Sequence, residues 1–271
     1  MSKIDYILRY GPRVFVEKKC QVLKKENGYW KFYNSYDVVI GVDPPIGNQD
    51  PYVFHTPWVH AYCHINQLRE DTGEQSILIW GSWDQKTKSS NFLVDTVFVV
   101  NEKFGWDGDE PKKEFQKACP YTKDDGLYNN LLKYKSEKEK TDRIYTATDF
   151  ESIQDHPYKR SDEYYSFIPL KYNNGDFELI DILPLIKEND EEFHNVMLQK
   201  NQSGIRRIDF AYKIINYLYK NADILVTKVL DDKSIENIDE ELQRRYFPLV
   251  YGIGYDQRVF KECFKTDESF R

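Results

Sequence analysis

Two apolar runs joined by a polar segment constrain the fold of this chain more than any other feature. Residues 76–83 read SILIWGSW and residues 92–100 read FLVDTVFVV, and both have the length and the β-branched and aromatic content of buried strands. The segment between them, DQKTKSSN, is polar throughout. The pattern predicts a β-hairpin with a long loop. Asp95 interrupts the second run, which predicts either a solvated side or a partner for its carboxylate.

Further strands are predicted where short apolar and aromatic runs end at turn residues. Asn27-Gly28 is the dipeptide most typical of a tight hairpin turn, and Asn173-Asn174-Gly175-Asp176 is a second turn signal. The additional predicted strands are 4–10, 13–23, 37–42, 164–172 and 177–186. Residues 223–229 either continue a helix or form another strand.

Helices are predicted from periodicity and from capping residues. Apolar side chains recur at helical spacing over residues 208–219, so we expect Ile215 to face the core. Thr56-Pro57 has the form of a helix start, which predicts a helix over 57–70 that ends at Gly73. Shorter helices are predicted at 111–118, 127–140 and 235–245.

These elements predict an α+β fold with a mixed, largely antiparallel sheet or a partly open β-barrel, surrounded by helices. A length of 271 residues without a Gly/Ser linker fits one domain over 1–271. A subdivision into a barrel-like part, 1–145, and a helix-containing extension, 146–271, is the alternative.

Composition and charge restrict the classes of partner. The net charge of −7 argues against a protein that coats phosphates indiscriminately. We expect no membrane span because no long uncharged apolar stretch occurs, and the first residues do not resemble an export signal. The four cysteines are widely spaced and form no CxxC pair, so we expect reduced thiols in a cytoplasmic protein.

Three histidines cluster in FHTPWVHAYCH, at His55, His60 and His64. On the predicted helix His60 and His64 would share a face, which is a starting geometry for Zn²⁺ with Cys63 or a remote carboxylate as a further ligand. The alternatives are a polar site without metal and a purely structural role. The HExxH signature is absent, as are a P-loop, a GxGxxG loop and a GxSxG elbow.

The strand pair SILIWGSW and FLVDTVFVV, together with DYILRY and DVVIGVDP before it, resembles the core of PUA, EVE and ASCH domains and of bacterial nucleotide-modification-associated proteins. The resemblance covers about residues 4–105. It implies a cleft that holds a base, often a modified one, between aromatic and polar side chains. The implied pocket residues are His55, His60, Trp80, Ser82, Trp83 and Asp95, and we expect Trp58 and His64 to bind the ligand with them.

The function expected on these grounds is recognition of a nucleotide or a nucleic-acid base by a binding module without a required cofactor. The hairpin 76–100 and the segment 57–70 should line one cleft, with Trp80 or Trp83 partly exposed as a stacking surface. One alternative is a hydrolase or transferase that uses the histidine cluster, with or without Zn²⁺, on a nucleotide-like substrate. Another is a structural or interaction protein of a defence or mobile-element locus.

Overall fold

The structure, a computed structural model, describes residues 6–9, 14–42, 58–62, 75–84, 91–105, 143–150, 164–173, 175–198, 204–206 and 210–230. The strands are β1 (Tyr6–Arg9), β2 (Val14–Glu26), β3 (Tyr29–Val42), β4 (Val59–Tyr62), β5 (Ile77–Asp84), β6 (Asn91–Gly105), β7 (Arg143–Ala147), β8 (Ile168–Asn173), β9 (Asp176–Glu178), β10 (Ile180–Asp181), β11 (Gly204–Arg206) and β12 (Ile224–Val229). The helices are α1 (Leu183–Asn189), α2 (Glu191–Leu198) and α3 (Ala211–Asn221).

The first sheet has seven strands in the order β11-β1-β5-β6-β7-β4, with β10 paired beside β6. The β1–β5 pair is parallel and the other pairs are antiparallel. Strands β5 and β6 form the predicted hairpin, in register from Ile77 opposite Val99 to Asp84 opposite Asn91. A bulge shifts this register, because Trp80 lies opposite Thr96 whereas the next residue, Gly81, lies opposite Val94.

The second sheet has five antiparallel strands in the order β3-β2-β12-β8-β9. Its longest element is the β2–β3 hairpin, whose turn residues Asn27 and Gly28 have φ values of 51° and 84°. Two successive positive φ values are the mark of the turn predicted from Asn-Gly. The fold is therefore α+β and mostly antiparallel, and the two sheets form no closed barrel within the described ranges.

The larger hydrophobic core lies among both sheets and the three helices. Helix α3 contributes the buried side chains of Ala211, Ile214, Ile215 and Leu218, so the predicted orientation of Ile215 is confirmed. Strands β5 and β6 contribute Ile77, Ile79, Val94, Val97 and Val99, and the second sheet adds Leu23 and Leu225. A stripe of apolar residues on α3 is thereby removed from water against two sheets.

A second core covers the opposite face of the five-stranded sheet. Successive residues of β12 alternate between the two cores, as the period of a strand requires: Leu225 belongs to the larger core, while Ile224 and Val226 belong to the second. The other buried members of the second core are Val16, Cys20, Val22, Val38, Ile40, Ile168, Leu170 and Val229.

Backbone hydrogen bonds join the two sheets and also the two halves of the chain. Phe167 exchanges two backbone hydrogen bonds of 2.9 Å with Val97 on β6, and β8 of the other sheet begins at the next residue. Strands from the first and second halves of the chain also pair directly, β1 with β11 and β2 with β12. None of the described helices is long and apolar enough to cross a membrane.

Two predicted elements are wrong where the structure describes them. Residues 177–186 were expected to be one strand, but β9 and β10 are short and helix α1 begins at Leu183. The helix start is favoured because Asp181 Oδ1 accepts a hydrogen bond of 3.0 Å from Leu183 N. Pro184 then stands in the first turn, where its missing N–H costs nothing.

The predicted helix over 57–70 is not formed at residues 59–62, which are strand β4. The Thr56-Pro57 signal is local, whereas β4 pairs with β7, which follows it by more than eighty residues in sequence. The other predicted helices, at 111–118, 127–140 and 235–245, lie outside the described residues.

Candidate functional site

The candidate residues on the β5–β6 hairpin are part of the interior. Trp80 is only 1% exposed, and Ser82 and Asp95 are buried as well. Of the two alternatives, Trp80 or Trp83, Trp80 is therefore not the exposed one, because both faces of β5 are covered and residues 76–82 are buried in succession. Trp83 lies opposite Phe92 in the hairpin register, and its side chain is outside the description.

The two polar candidates of the hairpin occupy special positions. Asp95 is the extra residue of the bulge, since its neighbours Val94 and Thr96 pair with consecutive residues of β5. The hydroxyl of Ser82 is buried and has no hydrogen-bond partner among the described residues. A buried hydroxyl in this state is destabilising by about 1–3 kcal/mol relative to a satisfied one.

His60 is not brought to Trp80. His60 lies in β4 opposite Tyr145, which in turn lies opposite Lys103 on β6. Lys103 is seven residues along β6 from Thr96, the partner of Trp80, a separation of roughly 20 Å at about 3.3 Å per residue. His60 and Trp80 therefore do not lie side by side as expected.

The remaining members of the predicted site are only partly placed. His55, His64 and Cys63 lie outside the described residues, so a zinc site there stays a prediction. Among the residues the structure does describe, no three His, Cys, Asp or Glu side chains are grouped as metal ligands would be. Trp58 is partly buried against the second core, and its carbonyl accepts a hydrogen bond of 3.0 Å from Ala147 N.

A cleft of about 350 Å³ opens where β6, the β8–β9 hairpin, β10 and the two helices α1 and α3 meet. This volume is at the lower end of the range found for small-ligand sites. One wall is the loop end of the β5–β6 hairpin, so this hairpin does line a cleft, but at Asn91 and Leu93 rather than at Trp80. Among the described residues, the cleft is lined by Asn91, Leu93, Lys171, Glu178, Leu179, Ile180, Asp181, Pro184, Tyr217 and Asn221.

Asp181 is held rigidly in the cleft wall. Its Oδ1 accepts hydrogen bonds from Phe92 N at 2.9 Å and from Leu183 N at 3.0 Å. One carboxylate oxygen thus ties β6 to the start of α1. Two backbone donors on one oxygen keep the carboxylate oriented.

Tyr217 extends from α3 into the same cleft as a hydrogen-bond donor. Burial raises the pKa of the Tyr217 phenol, and the nearby carboxylates of Asp181 and Glu188 raise the pKa further. The phenol therefore stays protonated at physiological pH. Its ring is half-buried against the larger core, which fixes its orientation.

The polar lining also contains the side-chain amides of Asn91 and Asn221 and the oppositely charged residues Lys171 and Glu178. The side-chain nitrogen of Asn221 donates to the Tyr217 carbonyl at 2.8 Å, which holds the Asn221 side chain against its own helix. The Asn221 amide oxygen remains as an acceptor. Lys171 and Glu178 lie directly opposite each other in the β8–β9 register, so both charges stand at one side of the cleft.

The sequence reasoning missed this cleft, and a signal for it existed. Asp181-Ile182-Leu183-Pro184 places an acidic residue three positions before a proline, which is a pattern for a helix start rather than for a continuing strand. Tyr217 and Asn221 are four apart on a predicted helix and therefore share a face. No sequence pattern indicated that this face would meet β10.

No protein-family model, no curated protein and no solved structure matches the chain. The cleft is therefore the basis for assigning a function.

Proposed function

We propose that this protein is a binding module that recognises a nucleobase or nucleoside in the cleft between α3, β10 and the β8–β9 hairpin. The observation that carries the proposal is the lining itself, which places a half-buried tyrosine ring beside two amides and an anchored carboxylate. A base requires this combination, because its flat face stacks on an aromatic ring while its edge needs hydrogen-bond donors and acceptors.

The charges of the lining favour one kind of ligand. Glu178 and Asp181 contribute two carboxylates, whereas Lys171 contributes one ammonium group. Carboxylates accept hydrogen bonds from N–H groups and repel phosphate oxygens. We therefore expect bases that carry an exocyclic amino group to bind better than uracil or thymine, and a nucleoside to bind better than its 5′-phosphate.

We also propose a fold assignment and a cellular compartment for this module. The β5–β6 hairpin and the strands around it within residues 4–105 act as the core of a PUA- or EVE-like module, as the resemblance of SILIWGSW and FLVDTVFVV implies. The binding module acts in the cytoplasm and requires no cofactor.

Calorimetric titration with guanosine, adenosine, cytidine and uridine tests the proposal. Tyr217→Ala removes both the ring and the hydroxyl and is expected to weaken binding of the preferred nucleoside by about 5-fold or more, since base–aromatic stacking contributes about 1–3 kcal/mol. Tyr217→Phe keeps the ring and should retain most of the affinity.

Tyr212→Ala is the matched control, because Tyr212 is an exposed tyrosine of the same helix that does not line the cleft. It should leave the affinity unchanged. The proposal fails if no nucleoside binds at millimolar concentration, or if Tyr217→Ala and Tyr212→Ala bind equally well.

A further inference from the structure

A second surface, on the tip of the β2–β3 hairpin, combines exposed aromatic rings with lysines. The register sets Glu26 opposite Tyr29, Lys24 opposite Lys31 and Val22 opposite Tyr33. Directly opposed residues of an antiparallel pair share a face of the sheet. Tyr29 is 80% exposed, more than any other large hydrophobic side chain described.

The same face continues across the sheet to β8. Lys24 lies opposite Ile224, and Ile224 lies opposite Leu170, so the next residue of β8 on this face is Tyr172, which is 54% exposed. Tyr172 stands in the same row as Tyr29, three strands away, which is about 14 Å at about 4.8 Å per strand. We call the set Tyr29, Lys31, Tyr33, Lys24 and Tyr172 the hairpin platform.

The hairpin end of the platform carries an excess of positive charge. Glu26 accepts a hydrogen bond of 2.5 Å from the Tyr33 hydroxyl and lies 3.6 Å from Lys31 and 3.7 Å from Lys24. Two ammonium groups therefore stand against one carboxylate at this end, on a chain whose net charge is −7. At the other end, Asp223 Oδ2 accepts a hydrogen bond of 2.8 Å from Tyr172 N.

The lysines also lie over the tyrosine rings. Lys31 Nζ is 5.0 Å from the ring centre of Tyr33, and Lys24 Nζ is 5.2 Å from that of Tyr36. These contacts hold the ammonium groups close to the aromatic surface. Tyr29 and Tyr172 are 80% and 54% exposed, and the ring of Tyr172 packs against that of Phe177 at 5.4 Å between ring centres.

We propose that the hairpin platform binds single-stranded nucleic acid, with unpaired bases stacked on Tyr29 and Tyr172 and the backbone phosphates close to Lys24 and Lys31. Aromatic rings that flank lysines on a sheet face are the arrangement by which proteins hold single strands without reading their sequence. A duplex offers its phosphates but not the faces of its bases, so the rings select the single strand. This surface is separate from the cleft, and the inference does not depend on nucleoside binding there.

Fluorescence anisotropy with labelled oligothymidylate and with a duplex of the same length tests the inference. Oligothymidylate is expected to bind and the duplex to bind at least ten-fold more weakly. Tyr29→Ala and Tyr172→Ala should each lower the affinity for oligothymidylate by about 5-fold or more. Tyr212→Ala removes an exposed tyrosine elsewhere and should change nothing.

The salt dependence separates stacking from charge. Two lysines that each neutralise one phosphate predict a slope of about −1.4 for the logarithm of the binding constant against the logarithm of salt concentration. Lys24→Gln should reduce the slope to about −0.7. A much steeper slope, equal binding of the duplex, or unchanged binding by both tyrosine variants would overturn the inference.

A competition experiment keeps this inference distinct from the cleft proposal. Saturating guanosine should not displace oligothymidylate from the hairpin platform. If guanosine displaces it and Tyr217→Ala abolishes oligothymidylate binding, then the strand occupies the cleft, and the platform inference is wrong while the cleft proposal stands.

Discussion

The two long hairpins of this protein are built from similar local signals and have opposite surroundings. Every residue from Ser76 to Ser82 and from Phe92 to Val100 in the β5–β6 hairpin is buried. In the β2–β3 hairpin, buried residues are confined to parts of each strand, residues 24–37 contain none, and the turn itself is exposed. One hairpin is therefore a wall of the core, and the other has a surface available for a partner.

The difference arises from the position of each hairpin in its sheet. β5 and β6 have neighbours on both outer sides, whereas β3 stands at the edge of its sheet among the described strands. An edge strand has unpaired backbone groups along one side, and charged residues such as Lys31 and Asp37 discourage another chain from pairing there. We therefore expect substitutions in β5–β6 to change stability and substitutions at the tip of β2–β3 to change binding.

The largest expected effect lies in the core that β5–β6 shares with α3. Ile215→Ala should lower the free energy of unfolding by about 2–5 kcal/mol, because Ile215 is fully buried and a cavity remains. Urea unfolding followed by circular dichroism measures the loss. Tyr212→Ala on the exposed side of the same helix should cost less than about 0.5 kcal/mol. Equal losses for the two variants would mean that α3 does not pack as described.

One glycine in each of the two hairpins provides a further test of the difference between them. A Cβ at Gly81 would lie 2.5 Å from Phe92 Cε1 and 2.6 Å from the Leu93 carbonyl oxygen, so Gly81→Ala forces the backbone of β6 to move. We expect a loss of about 2–3 kcal/mol. Gly28→Ala meets no atom within 4 Å and should cost only the strain of its φ of 84°, about 1–2 kcal/mol. A smaller thermal shift for Gly81→Ala than for Gly28→Ala would contradict this account.

One lysine of the β2–β3 hairpin stabilises the end of helix α3, which packs in the larger core. Lys25 Nζ donates to the carbonyl oxygens of Tyr219 at 2.9 Å and Lys220 at 3.0 Å, at the C-terminal end of α3. Lys25→Met should cost about 1–2 kcal/mol, because these carbonyls lose a charged donor. Lys24→Met, on the opposite face of the same strand, should cost less than about 1 kcal/mol. Chemical unfolding of both variants decides whether the two faces differ.

We expect the loss of stability at alkaline pH to come mainly from two buried tyrosines, one on α3 and one just before β8. Burial raises the pKa of Tyr219 and of Tyr165 above the usual phenol value. The folded protein therefore keeps protons that the unfolded chain releases, so the contribution of these two phenols to stability is constant below about pH 9 and falls as the pH rises through about 10 and above.

Tyr219→Phe should make this alkaline decline shallower, which urea midpoints measured between about pH 8 and pH 11 would show. The same variant loses its hydrogen bond with Tyr165 and should be about 1 kcal/mol less stable at neutral pH. A decline as steep as that of the unmodified protein would show that other groups control alkaline unfolding.

The smallest effect is expected at a hydroxyl within the buried hairpin. Ser82→Ala removes a group without a hydrogen-bond partner in the described structure and should change stability by less than about 0.5 kcal/mol, or increase it. Ser166→Ala is the matched case, since that buried hydroxyl accepts from Val99 N at 2.8 Å and donates to the Val99 carbonyl at 3.2 Å. It should cost about 1–2 kcal/mol. A large loss for Ser82→Ala would reveal a partner for its hydroxyl.

The elements that could be predicted are those whose signals are local and strong. The Asn27-Gly28 turn, the β5–β6 hairpin and the amphipathic helix around Ile215 all depend on residues close together in sequence. The segment 177–186 was misread because its apolar content suits a strand, and the break at Asp181 depends on hydrogen bonds to Phe92 and Leu183.

The candidate site likewise contains residues that the sequence could indicate and contacts that it could not. Trp80, Ser82 and Asp95 could be singled out as unusual residues in or beside buried strands, but their burial depends on neighbours that pair with β5 and β6. The cleft gathers residues from α3, β6, β8, β9 and β10, which no spacing in the sequence connects. The cleft is therefore a property of the tertiary structure that the sequence alone does not indicate.

For this protein the pattern of apolar residues and turn residues is sufficient for the α+β class, the main hairpins and the inward side of α3, because these follow from the periods of helix and strand. Strand order, the bulge at Asp95 and the conversion of the expected helix near His60 into β4 come from pairing between distant segments. Such pairing is selected by the free energy of the whole core, so only the tertiary structure decides which polar and aromatic side chains meet.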